Sequence, residues 1–295
     1  MSQISYHNVD IRQQETIVLE NVGLDIQKGE FIYLIGKVGS GKSSLLKTMY
    51  GELDIHSGNA EVLGYDMTHI RRKQIPPLRK RIGIVFQDFQ LLTDRNVRDN
   101  LDFVLKATGW SDKRKRQFRI EEVLEQVGMQ TKGYKMPHEL SGGEQQRIVI
   151  ARAILNTPEI ILADEPTGNL DPETGRQIVQ LLRNIRTNGS TVIMTTHNLQ
   201  LLEEFPGRVY RCENHRVIEQ KMSEQEETKA TDSTDCQKTS ETSEASEAIE
   251  ITETPEVAEA TEATVATEAP ISQDTQEAQE EATGNDTENN IENNQ

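Results

Sequence analysis

Aromatic side chains are scarce in this 295-residue chain, at 4% of residues with a single tryptophan. From Met222 to the end there are none. That final stretch carries 21 Asp and Glu against two Lys, a charge of −19, and consists mostly of Thr, Glu, Ala, Ser and Gln. Such a composition cannot bury enough apolar surface to offset the entropy of ordering its backbone. A disordered acidic low-complexity tail is therefore expected over residues 222–295. The whole chain has a formal charge of −17, which leaves +2 for residues 1–221. The acidity belongs to the tail and gives no ground for treating the body as an acidic domain. Cysteine is nearly absent: Cys212 and Cys236 cannot build a disulfide framework and suit a reducing compartment. No apolar run approaches the roughly 18 residues that would suggest a membrane span. The start, Met1-Ser2-Gln3-Ile4-Ser5, lacks a basic region followed by an apolar stretch, so no secretory signal is read. The chain is expected in the cytosol, and any membrane association is expected to come through a partner.

The body alternates strand and helix signals, an α/β pattern. Phe31 to Ile35 is a short apolar run that ends at a glycine loop, and Lys42 to Tyr50 then shows helical spacing. Ile82 to Phe86, Ile160 to Ala163 and Thr191 to Met194 read as further buried strands. Between the first two of these, Leu101, Val104, Leu105, Ile120, Val123, Leu124 and Val127 recur at three and four, which predicts an inserted helical subdomain over about 93–156. Ile4 to Val9 and Val18 to Ile26 predict an antiparallel flank. Arg208 to Arg211 with Arg216 to Glu219 predicts a closing hairpin.

The loop Gly36-Lys37-Val38-Gly39-Ser40-Gly41-Lys42-Ser43, followed by Ser44, has the glycine spacing that lets backbone N–H groups wrap phosphates at a helix start. A chain of this length meets that pattern by chance about once in a hundred. Lys42 would set a point charge against the β- and γ-phosphates, and the Ser43 hydroxyl would bind magnesium. Ile160 to Ala163 runs into Asp164 and Glu165, which puts two carboxylates at a strand's carboxyl end. Asp164 would hold the metal through its water shell, and Glu165 would polarise the attacking water. Gln87 ends another strand in the same crevice and can offer its amide oxygen to magnesium or the water. His197 leaves the last core strand and can reach the γ-phosphate; His7, His56, His69, His138 and His215 hold no comparable position. These residues alone predict a magnesium-dependent nucleoside triphosphatase.

Downstream of the phosphate loop, the run Leu140-Ser141-Gly142-Gly143-Glu144-Gln145-Gln146-Arg147 resembles the signature of the ATP-binding cassette (ABC) ATPases. The resemblance implies a RecA-like P-loop fold and a head-to-tail homodimer in the ATP state. Ser141, Gly142, Gly143, Glu144 and Asp171 would then complete the neighbour's ATP site. Within the family, Asp164-Glu165-Pro166-Thr167-Gly168-Asn169-Leu170-Asp171 looks like the cell-division ATPases (FtsE), the lipoprotein-release ATPases (LolD) and the macrolide-export proteins (MacB). Gln87 to Arg95, and Ile75-Pro76-Pro77-Leu78-Arg79, are most similar to the cell-division group. That likeness implies a polytopic membrane partner of the FtsX kind, docked near Phe86, Phe89, Leu91 and Leu92 and driven to regulate cell-wall hydrolysis during division. Plain core packing of those four residues stays open, as does a lipoprotein-release or export ATPase. Nothing suggests nucleic acid.

The chain departs from the family pattern in two places. The family stacks an aromatic on adenine some two dozen positions before the phosphate loop, but residues 10–15 here are Asp-Ile-Arg-Gln-Gln-Glu. Arg12 or Gln13 is left to cover the base, and tolerance of GTP is expected. The resemblance also ends before the tail, which reads as a passive extension, a dock for a basic protein or an autoinhibitor. The basic runs Arg71-Arg72-Lys73 and Lys113-Arg114-Lys115-Arg116 read as solvated faces or as neighbours of anionic lipid.

Overall fold

The structure is a computed structural model that describes residues 2–220. The expected acidic tail and Cys236 lie outside the described residues. In chain order the elements are β1 (Ser2–Gln13), β2 (Thr16–Gln27), β3 (Phe31–Ile35), α1 (Lys42–Met49), β4 (Ser57–Val62), β5 (Tyr65–Asp66), α2 (Ile75–Lys80) and β6 (Ile82–Val85). Then follow α3 (Val97–Ala107), α4 (Lys113–Gln126), α5 (Gly142–Ile154), β7 (Ile160–Ala163), α6 (Pro172–Thr187), β8 (Thr191–Thr196), α7 (Gln200–Glu204), β9 (Arg208–Glu213) and β10 (Arg216–Gln220). Two 3-10 turns, Gln130–Lys132 and Pro137–Glu139, join α4 to α5.

Two sheets form. The first is antiparallel with order β2-β1-β4-β5; the second has six strands in the order β10-β9-β3-β8-β7-β6. In the larger sheet β3 runs parallel to both β8 and β9, β7 runs parallel to β8 and β6, and only the β9–β10 hairpin is antiparallel. Its central strands are apolar on both faces because both faces are covered. Alternation then assigns the sides. Phe31, Tyr33 and Ile35 of β3 join the core under the helices, whereas Ile32 and Leu34 join the core shared with α1 and the antiparallel sheet.

The antiparallel flank and closing hairpin form where the alternation predicts them, but the flank is larger than expected. β4 and β5 add to it through short, glycine-interrupted segments with little apolar signal. The insert is helical, and each of its three helices starts at a side-chain cap, the third being Ser141. Asn96 accepts from the Asp99 N–H at 2.8 Å, and Asp112 accepts from the Arg114 and Lys115 N–H groups. The far end of α5 leaves the insert and packs on β6. A Cβ at Gly83 would stand 2.5 Å from the Ala153 carbonyl oxygen, so only glycine permits that approach. Among the described residues no helix is long and apolar enough to cross a membrane.

Candidate nucleotide site

β3 delivers the glycine loop and α1 begins at Lys42 with Gly41 as its cap. At Gly36, where φ is 150°, a Cβ would collide with the Cys212 carbonyl oxygen and approach Ser40 Oγ to 2.6 Å. Ser40 Oγ itself is buried without a hydrogen-bond partner among the described residues. A buried hydroxyl with nothing to bond is costly, and this one sits inside a loop whose spacing suits phosphate oxygens. Lys42 is 4% exposed, and its Nζ donates to the carbonyls of Gly36 at 2.9 Å and Lys37 at 3.0 Å. Gly36→Ala is expected to lower nucleotide affinity at least about tenfold, because steric overlap must push the loop open. A fluorescent-nucleotide titration showing unchanged affinity would contradict that geometry.

The strand ends meet opposite this loop. Ser43 Oγ donates to Asp164 Oδ1 at 3.1 Å, and Thr195 Oγ1 donates to the same oxygen at 2.7 Å. Thr195 Oγ1 also accepts from the Glu165 N–H at 2.7 Å. One hydroxyl on β8 thus fixes both acidic residues at the end of β7, a role invisible in the sequence. Glu165 has φ at 44°, an uncommon left-handed backbone for a non-glycine residue, so its side chain departs from the strand's alternation. Its carboxylate lies between a cation and an imidazole: Oε1 is 3.8 Å from Lys42 Nζ and Oε2 is 3.3 Å from His197 Nδ1. Gln87 shares a cavity of about 440 Å³ with Ser43 and Asp164.

Among the described residues no group of three His, Cys, Asp or Glu side chains could hold a metal unaided. A hydroxyl, a carboxylate and an amide fit magnesium, which usually takes one or two carboxylates and completes its shell with phosphate oxygens and water.

The serine–glycine run lies elsewhere. Ser141 caps α5 in a reciprocal box: its N–H donates to Glu144 Oε2 at 2.9 Å and its Oγ accepts from the Glu144 N–H at 3.3 Å. Glu144 also pairs with Lys132 at 3.0 Å. The Ser141 N–H and then Lys132 hold its carboxyl below the usual range. Gly142 faces Leu170 and Phe89, and Asp171 caps α6 by accepting from the Thr174 N–H at 2.9 Å. The Thr174 side chain first, and then its N–H, hold the exposed Asp171 carboxyl low as well. Among the described residues, no hydrogen bond or ion pair of Ser141 or Glu144 reaches residues 36–44. Within one chain the two halves stand apart.

The four apolar residues after β6 divide. Phe89 and Leu91 pack against the core, while Leu92 is 37% exposed. Asn100, which is 3% exposed, clasps the Leu92 backbone at both its N–H and its carbonyl. Phe86 lies under the Arg152 guanidinium at 6.0 Å. Arg152 also donates to the carbonyls of Phe89 and Gln90 and lines a groove of about 560 Å³ with Pro76, Pro77, Ile84, Val104 and Ala107. No sequence signal pointed to Arg152.

A family model described as "ABC transporter" matches residues 19–168. The chain belongs to the ABC transporter family. The matched span takes in the glycine loop, Gln87, the serine–glycine run and the Asp164–Glu165 pair. The cell-division ATP-binding protein FtsE of Streptococcus pneumoniae is 43% identical over 203 residues, 69% of this chain and 88% of that one. The methionine import ATP-binding protein MetN of Carboxydothermus hydrogenoformans is 42% identical, over 68% of this chain and 60% of its own length. Among solved structures, the cassette MJ0796, dimeric in a post-hydrolysis state bound to ADP and Pi, superposes with a TM-score of 0.66 at 32% identity. The match covers 74% of this chain and 98% of that one. The present cassette is an ATPase of the same family.

Proposed function

We propose that this cassette is the ATP-hydrolysing subunit of an FtsEX-like complex, drives an FtsX-type membrane protein, and so regulates cell-wall hydrolysis during division. Residues 1–221 form the cassette in this reading, held at the cytoplasmic face of the membrane by that partner. The similarity to FtsE over most of its length supports the choice of complex. The observation that carries the coupling is Arg152. It lines the groove, covers Phe86 and grips the carbonyls of Phe89 and Gln90. The groove wall is thereby fastened to the segment that presents Gln87 to the catalytic cavity, so a change at one is transmitted to the other.

In this reading the backbone of residues 36–44 receives the phosphates, and Lys42 leaves the loop carbonyls for them. Ser43, Gln87 and Asp164 would hold magnesium, which supplies charge neutralisation for the phosphates when bound. Glu165 polarises the attacking water, and His197, 3.3 Å away, orients that carboxylate and faces the γ-phosphate. Ser141, Gly142, Gly143, Glu144 and Asp171 serve a second copy of the chain, whose own set serves this one.

Ala107→Trp would fill the groove without touching the nucleotide site. It is expected to cut co-purification of the FtsX-type protein at least about tenfold while ATP binding persists. Full retention of the partner would overturn the docking assignment. The hairpin tip between β1 and β2 lies near the loop, since Val18 and Leu19 would contact a Cβ on Gly41 at 2.9 Å. It offers no ring over residues 10–15. Discrimination between ATP and GTP is accordingly weak in this proposal, and equal-concentration binding with a strong ATP preference would contradict it.

A further inference from the structure

Each of the two basic runs outside the nucleotide site lies within a few residues of the lining of the groove. Arg71, Arg72 and Lys73 stand just before Pro76, which forms one wall of the groove; Lys113 follows Gly109 of the opposite wall by four residues. At no more than about 3.6 Å per residue, neither run can lie far from its rim. Arg71, Arg72, Lys73 and Lys80 on one side, and Lys113, Arg114 and Lys115 on the other, are exposed. Among the described residues none of these seven forms an ion pair. No carboxylate occurs between Asp66 and Asp88. Of the acids around the second run, Asp102 pairs with Lys106 and Arg116 and Asp112 caps the α4 backbone, while Asp99 lines the same cleft as Lys113. The first turn of α4 thus opposes its own helix dipole, which favours anions there and not cations.

An aromatic completes the surface. Phe118 is 71% exposed, three and four residues beyond Lys115 and Arg114, so helical spacing sets it on their face. Cations flanking an exposed ring match the chemistry of a bilayer interface, where basic groups meet anionic headgroups and an aromatic enters the boundary region. The described chain ends at β10, at the edge of the larger sheet opposite β6 and the groove. At roughly 4.8 Å per strand, some 24 Å separates the acidic segment's point of departure from this face.

We propose that both rims of the groove, with Phe118, form a docking surface for anionic phospholipid headgroups. The orientation of this face toward the bilayer rests on the membrane-partner reading above. Lipid binding can nevertheless be measured without any partner, so the two ideas fail separately. The full chain is floated with vesicles of phosphatidylcholine alone and with vesicles containing about 30% phosphatidylglycerol, across a salt series. Binding is expected only to the anionic vesicles and should weaken as salt rises. The triple variants R71Q/R72Q/K73Q and K113Q/R114Q/K115Q should each lose affinity on the order of 100-fold, from about fivefold per cation. Phe118→Ser should weaken binding further, and ATP turnover in solution should be unchanged in all three. Equal binding to both vesicle types, absence of binding to either, or wild-type affinity in both triple variants would overturn the proposal. Binding that appears only after removal of residues 222–295 would also overturn it, and would assign the face to the chain's own acidic segment.

Discussion

Replacing Glu165 with glutamine is expected to lower turnover by about 10²–10⁴, the usual contribution of a positioned base, while ATP stays bound. The substitution keeps the side chain's size and an oxygen acceptor, and the Glu165 N–H still donates to Thr195. The charge between Lys42 and His197, at 3.8 Å and 3.3 Å, is what disappears. With Asp164 still held by Ser43 and Thr195, the metal-side residues are undisturbed. The variant should therefore retain nucleotide and accumulate as an ATP-bound dimer, read by phosphate release and size-exclusion chromatography in ATP. Near-normal hydrolysis would remove Glu165 from the role assigned to it.

The second large effect belongs to Ser141→Arg. Ser141 is exposed at the start of α5, and its contacts run to Glu144 and not to the phosphate loop. A guanidinium there projects from the face offered to a second copy, so each chain should bind ATP with wild-type affinity while hydrolysis falls at least about 100-fold. The capping bond is lost too, at a cost of about 0.5–2 kcal/mol of stability. Ser141→Ala separates the two effects, since it loses the cap without adding bulk. A Ser141→Arg monomer that turns over normally would show that the site needs no second chain.

Legibility in the sequence follows how local each feature is. The glycine loop between β3 and α1 could be read because strand, loop and helix are contiguous, and the Asp164–Glu165 pair because an apolar run ends in it. Thr195 could not be read: it reaches both acids across a parallel pairing set by the whole sheet, 30 residues away in sequence. Arg152 is similar, since its partners at Phe86, Phe89 and Gln90 lie more than 60 residues upstream. Burial lowers its pKa from the usual arginine range, which a surface arginine in a helical pattern would not suggest. β4 and β5 were missed because Ser57 to Val62 alternates weakly, so the extra strands gain their order from pairing with β1. Ile75-Pro76-Pro77 reads as a family marker, yet α2 forms there with proline confined to its first turn, where a missing N–H costs no helix bond.

The central claim is that a working site takes residues 36–44, Asp164 and Glu165 from one chain and the Ser141 segment from another. Mixing two inactive variants, Lys42→Ala and Ser141→Arg, tests it most directly. Every mixed dimer would carry one site with both defects and one site with neither. Statistical pairing then predicts recovery of about one quarter of wild-type ATP turnover from an equimolar mixture, against background for each variant alone. Turnover in the mixture no greater than the sum of the separate variants would contradict a shared site.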